Sequence, residues 1–267
     1  MTTTPIETNQ IAIAAKPTFR SAMRDTKVIA KRNLKRVLRT PRLLIFSSIQ
    51  PIMFFILFRF VFAGPLKTDG TYVDFLLPGI FVQASLFGGT TAIALSYDLA
   101  SGMVDRFKSL PIARIAVLAG RTLADSARNV VTLLLLTIIG VIFGFRFHAG
   151  FLSILAGYGA VLIFAHAFSW LQAYIGITAK DPETAQIMSF LPLFPFIFAS
   201  TIFQPPTNFP TWLQGFAEHQ PVSVTATTAR ALVQGGPVWS TAWQMLAYSA
   251  AFLIIFVPLT VSRYRKQ

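Results

Sequence analysis

Few side chains in this sequence could do chemistry, and their spacing limits what that chemistry is. The three histidines, His148, His166 and His219, stand far apart, with no H-E-x-x-H or comparable metal spacing around them. There is no cysteine, so disulfides, thiolate metal sites, iron–sulfur clusters and cysteine nucleophiles are excluded. No glycine is followed by lysine, which rules out the loop that cradles nucleotide phosphates in P-loop ATPases. The ten acidic residues are scattered, without the converging acid and base that a hydrolase or transferase needs. Asp125 and Arg128, three apart, are expected to pair on one helix face at the cytoplasmic start of an apolar run. Asp74 and Arg59 fall near the other end of their runs, where reaching water is cheap. The middle of every run is therefore expected to lack charge, which argues against a proton relay. No catalytic residue and no metal ligand is assigned.

The elements that must position these residues are apolar. Of the 267 residues 54% are hydrophobic and 12% charged, and the 26 phenylalanines outnumber the 23 lysines and arginines. A soluble domain carries about a quarter charged residues, so a water-facing globule does not fit. A helix crossing a bilayer needs about 20 apolar residues. Six stretches qualify: Leu43 to Phe62, Phe75 to Ser96, Leu123 to Phe145, Phe151 to Ile177, Ala185 to Phe203 and Trp243 to Val261. None alternates as barrel strands do, and unpaired backbone is costly in lipid, so helices are expected. The fold class is an all-α membrane protein with six transmembrane helices. The first run follows a basic stretch and begins beyond residue 40, unlike a cleaved signal peptide.

The net charge of +13 follows this layout. Ten basic residues precede the first run, and nineteen of the 23 fall on one side of the six, with Lys67, Arg146 and Arg230 opposite and Arg59 near that end. The positive-inside rule then puts both termini in the cytoplasm. Charge that tracks topology this closely is not a nucleic-acid surface, and no nucleic-acid partner is expected. Residues 1–16 are polar and expected to be disordered. Over 17–41, Phe19, Met23, Ala30, Leu34 and Val37 share one helical face beside a basic stripe, which describes a helix lying at the lipid headgroups, or a plain stop-transfer cluster. The transmembrane domain takes 42–267.

The loop after the second run is the most informative polar stretch. Met103, Phe107 and Leu110 sit at helical spacing, with Gly102 before them and Pro111 after. A short amphipathic helix presented between two membrane legs either docks a partner that supplies energy or rests on lipid. The string GMVDRFKSLPIARIAVLAGRTLAD around it is similar to the matching loop of type-2 ABC exporter permeases, in particular the daunorubicin/doxorubicin resistance permease group. YVDFLLPGIFVQ, KDPETAQ and FAEHQPVSVTATTARALVQGGP resemble that group in the same order.

The resemblance implies six transmembrane helices per subunit, a second permease subunit, identical or paralogous, and separate ATPase subunits that carry ATP and magnesium. It implies that the N-terminal amphipathic helix is an interface helix. It also implies a cytoplasmic coupling helix at about 98–111, in which Met103, Val104, Arg106, Phe107, Leu110 and Pro111 meet the ATPase. The segment of about 204–241 would be an exoplasmic re-entrant pair before the last span, although its residues alone also fit a plain extracellular loop.

Several features inside the runs stay open. Gln50, Gln83, Tyr158, His166, Trp170 and Gln172 either line a substrate path or bond helix to helix. Ala84, Gly88, Ala92 and Ser96 form a small-residue stripe for packing within the subunit or between subunits. Pro51, Pro192 and Pro195 are hinges or fixed kinks. The expected function is the membrane subunit of an ATP-driven exporter of hydrophobic drugs or lipid-like molecules, multi-pass in a bacterial plasma membrane and in contact with its lipids, binding no cofactor itself and not an enzyme. The rivals are an ion-gradient carrier and a membrane-embedded lipid-modifying enzyme.

Overall fold

The computed structural model describes residues 41–62, 71–87, 91–102 and 114–266. The interface-helix residues Phe19, Met23, Ala30, Leu34 and Val37 lie outside the described residues. So do the coupling residues Met103, Val104, Arg106, Phe107, Leu110 and Pro111, and Gly88 of the small-residue stripe. Among the described residues every regular element is helical.

Helix α1 (Pro41–Leu57) opens on a proline, whose fixed φ and missing N–H suit the first helical position. Pro51 interrupts its hydrogen bonds, and the helix runs on into a wider π turn at Phe58–Phe62. Helices α2 (Tyr72–Phe87) and α3 (Thr91–Ala100) follow. They belong to one apolar length, Tyr72–Ala100, of 29 residues. Helix α4 (Arg114–Ile142) ends at a turn where Gly144 takes a positive φ of 101°. Helix α5 (Phe151–Thr178) is apolar on all sides.

Four helical lengths are long and apolar enough to cross a bilayer: Tyr72–Ala100, Ile115–Ile142, Phe151–Thr178 and Trp239–Tyr264. The first run is helical over Pro41–Phe62, with a shorter apolar stretch at Ser48–Val61. The fifth run departs from the expected single helix. It is split into α6 (Pro182–Phe190) and α7 (Leu193–Phe198), and the chain then turns through 199–204. Pro192 and Pro195 cannot donate the backbone bonds that would carry α6 through, so the hydrogen-bond ladder is interrupted at 191–192, although Leu191 and Pro192 keep right-handed helical φ and ψ. Asp181 caps α6: its carboxylate accepts from the Thr184 N–H at 2.7 Å and the Thr184 hydroxyl at 2.8 Å. Those two bonds hold the Asp181 carboxyl below the usual carboxylate value.

The segment between the fifth and sixth runs is folded. After a 3-10 turn at Pro206–Asn208 come α8 (Thr211–His219) and α9 (Pro221–Gln234). Gln220 caps α9 by accepting the Val222 N–H at 3.0 Å. Gly235 closes it in the left-handed conformation, φ 87°, donating to Ala231 O at 2.9 Å. Helix α10 (Trp239–Lys266) completes the chain.

Helix α2 is the axis of the bundle. Val73, Leu76, Leu77, Ile80 and Phe81 are buried on every side by α1, α4, α5 and α9. A second core joins Leu95 of α3, Leu118 of α4, Trp170 and Ile177 of α5, and Tyr264 of α10. Lipid is as apolar as these side chains, so association rests on close contact rather than on expulsion of water. Two glycines show how close. An added Cβ at Gly79 of α2 would lie 2.6 Å from Ile202 O, and one at Gly176 of α5 would lie 2.4 Å from Ala92 O. The Ala92 contact, with Ala84 and Ser96 also buried, makes the small-residue stripe an intrasubunit seam over its described members.

Candidate functional site

The polar residues of the bundle fall into two poles and a buried middle. At one pole Asp98 of α3 and Arg121 of α4 pair at 3.2 Å. The pair ties together the two helices on either side of residues 103–113. At the other pole Asp74 Oδ1 accepts the Arg146 N–H at 2.9 Å. Gln234 donates from Nε2 to Asp74 O at 3.3 Å and Arg146 O at 3.4 Å, and its Oε1 bonds His148 Nδ1. The same pole holds Arg230, which the sequence assigned only to the side of a loop. Arg230 donates from Nε to Phe75 O at 2.9 Å and from a terminal nitrogen to Thr201 O at 3.0 Å. Its guanidinium lies 3.7 Å from the Phe75 ring centre. One side chain thus fastens α9 to the start of α2 and to the turn after α7.

Lysine cannot reproduce this arrangement, because it offers a single point of charge in place of a planar fork. Arg230→Lys is expected to leave at least one of the two carbonyls unpaired, costing about 1–3 kcal/mol. The thermal unfolding midpoint of the purified chain should fall accordingly, and an unchanged midpoint would remove the clamp.

In the buried middle, Asp125 and Arg128 pair at 3.5 Å, as their three-residue spacing implies, and Asp125 also accepts the Thr91 hydroxyl. The pair lies deeper along its helix than expected. Helix α4 begins at Arg114, nine residues before the apolar run, so Arg128 stands near its midpoint. Asn129 Nδ2 reaches Ser85 O at 3.5 Å, and Ser126 bonds His166 Nδ1 at 3.0 Å.

The six polar residues singled out inside the runs have different surroundings. Tyr158 bonds Thr137 and packs against Phe81, and His166 bonds Ser126, so both join α5 to α4. Trp170 belongs to the second core. Gln50 is half-buried on α1. Gln83, 0% exposed, and Gln172, 2% exposed, are different: both polar atoms of Gln83 and Oε1 of Gln172 lack a hydrogen-bond partner among the described residues. Orphaned buried amides are uncommon.

The sequence reading missed a cavity of about 240 Å³ beside the break in the fifth run. Phe164 and Phe168 of α5, Met188 of α6, Phe196 of α7, Val222 of α9 and Phe252 of α10 bound it. The two prolines were the only signal. Nothing in the even apolarity of α5 marks which of its faces borders a void. Among the described residues no group of three or more histidine, acidic or cysteine residues could hold a metal ion.

Residues 24–234 match the family model described as ABC-2 type transporter. The daunorubicin resistance ABC transporter permease protein DrrB1 of Streptomyces coeruleorubidus is 34% identical over 230 residues, 85% of this chain and 81% of its own length. "Probable doxorubicin resistance ABC transporter permease protein DrrC" of Mycobacterium tuberculosis is 28% identical over 274 residues, covering 100% of this chain and 99% of its own. The doxorubicin resistance permease DrrB of the same organism is 26% identical over 221 residues, 78% of this chain and 76% of its own. The chain belongs to the ABC-2 type transporter family and is a multi-pass transmembrane permease subunit of an ABC exporter, leaving ATP hydrolysis to a separate subunit.

Proposed function

We propose that this permease moves a hydrophobic drug or lipid-like molecule out of the cytoplasm or inner leaflet of a bacterial plasma membrane. The observation that carries the coupling half of this reading is the Asp98–Arg121 bridge between the helices on either side of residues 103–113. A push on a segment held between two tied helices moves both helices together, which is what a mechanical link to an ATPase requires. In this reading Met103, Val104, Arg106, Phe107, Leu110 and Pro111 meet the ATPase, and ATP and magnesium reside there. The cargo half rests on the relatives named for daunorubicin and doxorubicin resistance. It also rests on an interior whose central charges are held as a pair.

The same reading gives the chain six crossings, with the split α6–α7 as the fifth, and α8 and α9 as a pair dipping into the outer leaflet. The exposed Trp212 of α8 suits a headgroup boundary. Both termini are cytoplasmic, residues 17–41 form the interface helix after a disordered tail, and the chain works with a second permease subunit, identical or paralogous. Gln83 and Gln172 are the polar residues an amphipathic cargo would use along its path.

Phe107→Ala combined with Leu110→Ala tests the docking assignment. ATPase subunits are expected to co-purify at least tenfold less with the double variant, while the permease inserts at normal levels. Unchanged co-purification and transport would sink the assignment. Transport by the purified chain alone, under a proton gradient in vesicles, would overturn the ATP-driven reading.

A further inference from the structure

The cavity beside the fifth-run break has a wall chemistry that selects its occupant. Its one polar side chain is Ser189, whose hydroxyl is already donated to Ala185 O at 2.7 Å. A ligand group that needs a hydrogen-bond donor finds none there, and the one acceptor left is Ser189 Oγ, so the part that enters is uncharged and largely apolar. Four phenyl rings form the walls: Phe164, Phe168, Phe196 and Phe252. Phe252 stands edge-on to Phe164, at 6.0 Å and 84°, and tilted against Phe168, at 6.0 Å and 54°. Walls that present both ring edges and ring faces favour a flat aromatic guest, which gains edge-to-face and offset contacts beyond its buried area. An extended alkyl chain gains contact area alone.

Size and access narrow the choice further. A 150 Å³ cavity lined by similar side chains takes one benzene, so about 240 Å³ takes about two fused rings. Three members of the wall are exposed: Met188 of α6 and Phe196 of α7, each 41% exposed, and Pro192 between the two helices. Ile187, Leu191 and Phe194 are exposed beside them, so the mouth opens on an apolar surface. A guest arrives there dissolved in the hydrocarbon of the membrane.

We propose that this cavity is a lateral binding site for a flat, uncharged ring system of about two fused aromatic rings, taken from the lipid phase. It deepens the export reading and rests on it only in making that ring system the apolar end of the cargo. Pro192, which helps end α6, and Pro221, in the first turn of α9, are also on the wall. An occupant therefore presses directly on the break and on the start of α9.

The experiment uses the full chain with its ATPase subunits in phosphatidylcholine nanodiscs and 1-azidonaphthalene as a photolabel, mapped by peptide mass spectrometry. Labelling at 164–175 and 188–196 is expected to saturate and to fall at least fivefold with excess naphthalene, while excess hexadecane leaves it unchanged. Ile175→Trp and Met188→Trp each place an indole in the space and are expected to lower it at least fivefold. Met188 is exposed, so its variant does not depend on repacking a core. Labelling at the exposed Ile254 and Ile255 of α10 should stay the same in both.

Labelling that never saturates, that hexadecane competes equally well, or that neither tryptophan variant lowers would overturn the site. Any of these with ATPase association intact fails the site alone. Saturable labelling by a chain that binds no ATPase leaves the site standing and fails the export reading.

Discussion

Asp125→Ala is expected to destabilise the bundle by about 3–5 kcal/mol, the usual cost of stripping one partner from a buried ion pair. Asp125 and Arg128 are 8% and 7% exposed and pair with each other, and Asp125 also holds the Thr91 hydroxyl. Alanine removes the counter-charge that Asp125 supplies to the guanidinium, at a site only 7% exposed where little water can replace it. The midpoint of thermal unfolding in detergent should fall by about 10 °C, since each kcal/mol is worth a few degrees at this chain length. Replacing both charges, as Asp125→Leu with Arg128→Met, is expected to recover most of the loss, because well-packed apolar groups avoid the desolvation cost altogether. The double-mutant comparison isolates the pair from the separate effects of each residue. A double variant as unstable as Asp125→Ala would show that the pairing is not the source. Restored stability without restored transport would make Asp125 a participant in transport as well as a structural ion.

Gly176→Ala and Gly79→Ala are each expected to cost about 1–3 kcal/mol, the range for forcing extra atoms into a packed contact. The obstacle in both cases is main chain, which cannot rotate away as a side chain would. At Gly176 the new carbon would stand 2.4 Å from Ala92 O and 2.8 Å from Ala92 Cα, so α3 and α5 must separate. At Gly79 it would stand 2.6 Å from Ile202 O, which would push the turn after α7 off the central helix. Gly159, also within α5, has nothing within 4 Å of an added Cβ. Gly159→Ala should therefore be neutral, or gain about 0.5–1 kcal/mol from the stiffer helix backbone. Folded yield and unfolding midpoint of the three variants are the measurement, and equal behaviour at Gly159 and Gly176 would refute the close crossing.

How much of this was legible in the sequence differs from element to element. The apolar runs at Leu123 to Phe145, Phe151 to Ile177 and Trp243 to Val261 each became a helix of spanning length, and the run at Phe75 to Ser96 became α2 and α3, because run length alone sets that requirement. The Asp125–Arg128 pair was legible because three-residue spacing puts both on one face of any helix. The fifth run was read as one span with Pro192 and Pro195 as hinges or fixed kinks, and it consists of two short helices joined through helical φ and ψ at Leu191 and Pro192. Pro192 and Pro195 were noticed, but whether proline kinks a helix or ends it depends on what packs around the freed carbonyls. Tyr158 and His166 were singled out as polar groups in apolar runs, yet their partners, Thr137 and Ser126, lie on another helix.

By itself the sequence determined that the chain is helical, that it lives in a membrane, and that this sequence carries no nucleotide loop or cysteine chemistry. These follow from composition and from order along the chain. Only the tertiary structure decided that Arg230 clamps α9 to α2, that Gly79 and Gly176 are points of main-chain contact, and that four phenylalanines line a cavity. The physical reason is the solvent. In water, apolar residues mark the buried face of a helix; in lipid, the outward and inward faces are both apolar, so the pattern that would reveal packing is erased. Which faces meet, and where they fail to meet, is then set by the fit between helices that are distant in sequence.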